Sequence, residues 1–183
     1  MTKHEIRNHI RACKALLNDS ERRTAADAVF SRIEKLAAFL MADSILVYHS
    51  LPDELSTREF ISRWENEKRF FLPRVNGLNL EILPYNRLTL KLGAFAIEEP
   101  EGDDTTDVNE MEMVVVPAVA YDRRGNRIGR GKGYYDRLLA QTKALKVGVA
   151  YDFQLVDDFE PDPFDVPVDI VITPSGVYMV KGR

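Results

Sequence analysis

Five short runs restrict this chain more than anything else in it: "SILVYHS" (Ser44 to Ser50), "RFFLP" (Arg69 to Pro73), "MVVVP" (Met113 to Pro117), "KVGVA" (Lys146 to Ala150) and "DIVIT" (Asp169 to Thr173). They are β-branched or aromatic, and several are apolar at every position, as expected of strands covered on both faces. Helix candidates stand between them, Thr57 to Glu67 and Tyr134 to Thr142, with Phe60 and Trp64 read as core. Alternating helix and strand predicts an α/β fold, a single layered domain over residues 1–183 with a mostly parallel central sheet flanked by helices. A chain of 183 residues that is 45% hydrophobic suits one well-buried core.

The N-terminal region is helical in pattern. "TKHE" matches a capping box, with Thr2 accepting from the third helical amide and Glu5 reaching back. A first helix is expected to about Asn18. A second begins near Ser20 and carries Val29, Ile33, Leu36 and Leu40 on one face. The stretch Glu98 to Met113 is acidic and reads as a solvated connection.

The net charge of −4 and pI near 5.5 argue against a surface that tracks nucleic acid or an anionic membrane. No apolar run approaches the roughly 20 residues of a spanning helix, and the N-terminus lacks a secretory pattern. A soluble, cytoplasmic protein is expected. Cys13 is the sole cysteine, so no internal disulfide can form. It falls among Ile6, Ile10, Leu16 and Leu17 and reads as a small buried thiol. His4, His9 and His49 have no metal-ligand spacing, which discounts zinc.

Chemistry concentrates in "GNRIGRGKGYYDR", Gly125 to Arg137. It belongs to the loop after "MVVVP", and ligands of open parallel sheets bind outside the carboxyl ends of strands. Between Arg123 and Arg137 stand six cations (Arg123, Arg124, Arg127, Arg130, Lys132, Arg137) and a single acid, Asp136. Such a cluster in an acidic protein calls for an anion. Gly129, Gly131 and Gly133 let backbone approach that anion and aim N–H groups at it, and phosphate is the natural fit. The segment is neither of two common nucleotide motifs. A P-loop would need glycine at Asn126 and Ser or Thr at Gly133, and the dinucleotide fingerprint begun at Gly129 would need glycine at Tyr134. An RNA-binding module using the basic loop and paired tyrosines is the rival, though one compact cluster gives it little surface.

"VVVPAVAYDRRGNRIGRGKGYYDRLL" resembles the signature of the 5-formyltetrahydrofolate cyclo-ligases, also called methenyltetrahydrofolate synthetases. The resemblance continues through Lys3 and Arg7, "DELST" (Asp53 to Thr57), "FFLPRV" (Phe70 to Val75), "GAFAIEEP" (Gly93 to Pro100) and "FDVPVDIVIT" (Phe164 to Thr173). One position departs: Phe164 stands where the family usually has His.

The resemblance implies an ATP- and magnesium-dependent conversion of 5-formyltetrahydrofolate to 5,10-methenyltetrahydrofolate, with these two ligands as partners and neither nucleic acid nor membrane. A monomer is expected. Arg127, Arg130 and Lys132 become the catalytic charges. ATP is expected on Lys3, Arg7, Arg127, Gly129, Arg130, Gly131, Lys132, Gly133, Tyr134 and Tyr135. The folate is expected on His49, Glu54 and Arg130 through Tyr134. Either tyrosine could equally be core packing at a helix start. Magnesium is assigned to Asp136 and Asp169. A surface ion pair explains Asp136 as well, and turn chemistry explains Asp169 as well.

Overall fold

The computed structural model describes residues 1–86, 90–92 and 98–182, so the first five residues of "GAFAIEEP" lie outside it. Seven strands form one sheet in the order β11-β10-β9-β6-β1-β2-β3. Its five inner strands, β10 (Ile170–Thr173), β9 (Leu145–Val149), β6 (Met113–Val116), β1 (Ser44–Leu46) and β2 (Arg69–Asn76), are parallel. The edges β11 (Gly176–Met179) and β3 (Asn79–Pro84) are antiparallel to their neighbours. Two-stranded ribbons β4 (Leu90–Leu92) with β5 (Glu98–Pro100), and β7 (Ala120–Tyr121) with β8 (Arg127–Ile128), stand outside the sheet.

The parallel strands are apolar throughout because each face has its own helical cover. Ile45, Met113, Val115, Val147 and Ile170 pack with Val29, Phe30 and Ile33 of α2 (Asp19–Ile33), Phe39 of α3 (Ala37–Met41) and Phe60 and Ile61 of α4 (Arg58–Trp64). The intervening residues Leu46, Val114, Val116 and Val171 pack with Tyr121 and with Leu138 and Leu139 of α5 (Tyr134–Leu139). This alternation is the period-two geometry of a strand. Burial of each large apolar side chain contributes about 1.5–3 kcal/mol.

α1 (Lys3–Ala15) carries the expected capping box. It joins through a small cluster of its own, Ile6 and Ile10 against Ala120 and Ile128. That contact sets Lys3 and Arg7 beside the glycine-rich loop. The second predicted helix divides instead: α2 stops at Ile33, Leu36 turns extended, and Leu40 on α3 is 59% exposed. The break lets the chain turn into β1. Cys13 is half-buried beside His9, and Leu16 is 84% exposed, because that turn of α1 has left the apolar cluster. The acidic stretch after Glu98 is more structured than expected, with Glu99, Val108 and Met111 buried. Among the described residues, no helix is long and apolar enough to cross a membrane.

From β1 the chain crosses through α4 to β2 on one side, whereas β6 lies on the other. The loops leaving β1 and β6 therefore diverge at the carboxyl ends of the sheet, and a crevice opens between them.

Candidate active site

The crevice is a cavity of about 550 Å³. After β1 come Tyr48, His49, Leu51 and Glu54; after β6 come Pro117, Ala118 and the run from Arg127 to Asp136; α1 adds Lys3 and Arg7. Every predicted site residue lines it except Asp169. Residues from sequence positions 3 to 136 thus meet in one place because three elements end there.

The glycine-rich loop is shaped by its own arginines. Arg127 is buried; its Nε donates to the Pro117 carbonyl at 2.9 Å, and its guanidinium sits 5.3 Å from the Tyr135 ring. A Cβ at Gly129 would come within 3.0 Å of Arg127 Nη2, so a side chain there would press on the guanidinium. Arg7 Nε donates to the Gly129 carbonyl at 3.1 Å, which ties α1 to the loop. Gly131 and Gly133 have φ of +99° and +71°, conformations that L side chains resist. Burial pushes the Tyr135 hydroxyl well up, so it stays a donor at neutral pH. Tyr134 donates instead to the Gly77 carbonyl at 3.4 Å, joining the loop to the β2–β3 hairpin.

Several cations already hold oxygen partners from the protein. Lys3 Nζ lies 2.8 Å from Asp162 and 3.5 Å from Asp165. Arg130 Nη2 lies 3.2 Å from both oxygens of Asp53 and 3.8 Å from Glu54 Oε2. Lys132 is exposed and has no ion pair among the described residues. The acidic partners Asp53, Asp162 and Asp165 were not foreseen as site components, nor was buried Lys14, 3.7 Å from Asp53. A signal existed for Lys14, since positions 3, 7 and 14 recur on one face of a helix. Burial lowers the Lys14 pKa, and the Asp53 charge opposes that shift.

Glu54 accepts the Leu51 N–H at 2.9 Å, and burial pushes its carboxyl above the ordinary range while Arg130 pulls it back. A folded-state pKa above the unfolded one means that the associated stability is present below the unfolded value and lost as pH rises through the folded value. At neutral pH ionised Glu54 is therefore a cost to folding. The Glu54→Gln variant is expected to melt no lower than the unaltered protein at neutral pH, while losing affinity for a donor-rich ligand. In the unaltered protein, affinity for that ligand should fall as pH drops through the raised Glu54 pKa; a flat profile, or one shared by Glu54→Gln, would contradict this assignment.

Asp136 and Asp169 do not meet. Asp136 lines the cavity, its Oδ1 accepting the Val166 N–H at 3.1 Å and lying 3.8 Å from Arg127 Nη1. Asp169 precedes β10, where the parallel strands begin, and its carboxylate accepts the Lys146 N–H at 2.8 Å. That contact ties β9 to the start of β10 at the end of the sheet away from the crevice. A single carboxylate, as Asp136 would supply, is compatible with magnesium, which completes its shell with phosphate oxygens and water. Phe164 is 88% exposed at the turn between Asp162 and Asp165, whose carboxylates hold Lys3.

The chain is similar to known proteins over nearly its whole length. The profile of the 5-formyltetrahydrofolate cyclo-ligase family matches residues 1–174. The 5-formyltetrahydrofolate cyclo-ligase of Escherichia coli K12 is 31% identical over 179 residues, covering 92% of this chain and 98% of that protein. That of Haemophilus influenzae is 32% identical, covering 93% and 97%. The solved structure of Aquifex aeolicus 5,10-methenyltetrahydrofolate synthetase superposes with a TM-score of 0.90 at 34% identity, covering 100% of this chain and 95% of that one.

Proposed function

The chain belongs to the 5-formyltetrahydrofolate cyclo-ligase family, and from that premise we propose that it closes 5-formyltetrahydrofolate to 5,10-methenyltetrahydrofolate with ATP and magnesium, releasing ADP and phosphate. The observation that carries this reading is the convergence of five cations, Lys3, Arg7, Arg127, Arg130 and Lys132, with the half-buried carboxylate Glu54 in one crevice. A phosphate chain needs the first set and a pterin, rich in N–H donors, the second.

The formyl amide carbon is a poor electrophile and its oxygen a poor leaving group. Transfer of the γ-phosphoryl group to the formyl oxygen breaks the bond to the β-phosphate oxygen, releases ADP and turns that oxygen into part of a phosphate. N10 then bonds to the formyl carbon and loses its proton, the carbon–oxygen bond breaks, and phosphate departs with the former formyl oxygen. Such a transfer rests on positioning and charge stabilisation. Lys132, with no ion pair among the described residues, supplies a positive charge for the transferred group, and Arg127 fixes the loop that presents it. Magnesium held by Asp136 would neutralise phosphate charge. Glu54 orients the pterin, and His49 and Tyr48 line the same crevice.

The deciding experiment is an assay of purified protein with 5-formyltetrahydrofolate, ATP and magnesium, following the methenyl chromophore; folded protein that forms none overturns the reading. Within that assay, Asp136→Asn is expected to raise the magnesium concentration for half-maximal rate by roughly tenfold, the loss of one charged ligand. Asp169→Asn, altered at the far end of the sheet, is expected to leave that concentration unchanged. Identical magnesium dependence in Asp136→Asn and the unaltered protein would remove Asp136 from the site.

A further inference from the structure

Glu99 lies in the acidic stretch that reads as a solvated connection, and the structure puts it at the crevice instead. It sits on β5, is 7% exposed, and lines the cavity beside Pro73, Val75 and Leu80. Its Oε2 accepts the Val75 N–H at 2.9 Å. Among the described residues it has no ion pair and no second hydrogen bond. A carboxylate can accept about four. Burying a charge against one neutral N–H is costly unless further donors reach it.

Phosphate oxygens cannot supply donors and would repel the charge. A reduced pterin supplies them: its 2-amino group and the adjacent N3–H point the same way, a spacing that matches the two oxygens of one carboxylate. Adenine offers a single exocyclic amino group instead. Pro73, Val75 and Leu80 give the flat ring an apolar surface next to that carboxylate. We propose that Glu99 is a second substrate-binding carboxylate, accepting hydrogen bonds from the 2-amino edge of the pterin while Glu54 contacts the ring's remaining donors. This rests on the reading of the crevice as a 5-formyltetrahydrofolate site.

Glu99→Gln keeps an oxygen for the Val75 N–H and nearly the same volume, so the fold is expected to survive, with thermal unfolding as the check. The half-saturating concentration of 5-formyltetrahydrofolate should rise about 10- to 100-fold, the loss of hydrogen bonds to a charged group, while that of ATP stays unchanged. An analogue lacking the 2-amino group separates recognition from scaffolding. The unaltered protein should bind it about tenfold or more weakly than the natural substrate, and Glu99→Gln should discriminate far less. If the unaltered protein forms methenyl product but Glu99→Gln keeps its folate affinity, or both proteins discriminate equally against the analogue, Glu99 is only a support for β2. A rise in the ATP requirement alone would assign it to adenine and overturn the proposal equally. No product from the unaltered protein would instead overturn the reading on which the proposal rests.

Discussion

The Lys132→Ala variant is expected to form methenyl product about 10²-fold more slowly, the scale of removing one preorganised charge from a transition state, with an unfolding temperature close to that of the unaltered protein. The side chain is exposed and has no ion pair among the described residues, so its removal costs little packing. The other cations of the crevice are already engaged: Arg127 with the Pro117 carbonyl, Arg7 with the Gly129 carbonyl, Lys3 with Asp162 and Arg130 with Asp53. Among the described residues of the crevice, Lys132 is therefore the cation that, on the proposed mechanism, would follow developing charge without first leaving a partner. Steady-state rates at saturating ATP and folate, read beside a thermal melt, test this. A variant of unaltered rate would move the role to Arg127 or Arg130; a large drop in melting temperature would show that the loss was structural.

Gly125→Ala is expected to be the most damaging small substitution for stability. Gly125 turns the ribbon between β7 and β8 with φ of +80°, and a Cβ would lie 2.4 Å from the Val168 carbonyl oxygen and 2.8 Å from Val180 Cγ2. The oxygen belongs to backbone that cannot swing aside, because the Val168 N–H is bonded to the Gly125 carbonyl at 2.9 Å. Backbone strain and overpacking together cost about 3–5 kcal/mol, which lowers the melting temperature by roughly 10 °C in a chain of this size. Gly131→Ala is the control. Its φ is +99°, but nothing lies within 4 Å of the added carbon, so only the strain remains. Equal melting temperatures for the two variants would contradict the steric account of Gly125.

The parallel core was readable because strands buried on both faces must be apolar at consecutive positions, and "MVVVP" and "DIVIT" are. The edge strands were harder. β3 has exposed Asn79 and Pro84 and breaks the apolar run, although Asn76–Gly77 before it was a hairpin signal, with Gly77 at φ of +63°. β11 alternates exposed Val177 and Met179 with half-buried Tyr178, which reads as a tail in a sequence. At the site, the glycine-rich loop announced itself by charge against an acidic background. Its counter-charges did not, since Asp53, Asp162 and Asp165 look like ordinary surface acids until the fold brings them beside Arg130 and Lys3. Asp169 precedes a parallel strand, which puts it at the end of the sheet opposite the crevice, and only the strand directions make that visible. Glu99 stood among several acids in a stretch that reads as solvent-exposed, and only its contact with β2 shows that it is buried.

The carboxylates that hold Lys3 and Arg130 also act as resident competitors. An incoming anion must outbid them, which a singly charged ion does poorly and a chain of phosphates, engaging several cations at once, does well. With ATP as the proposed ligand, these ion pairs would select against the abundant small anions of a cell, as a threshold that the length of the polyphosphate clears, with no gate or moving part.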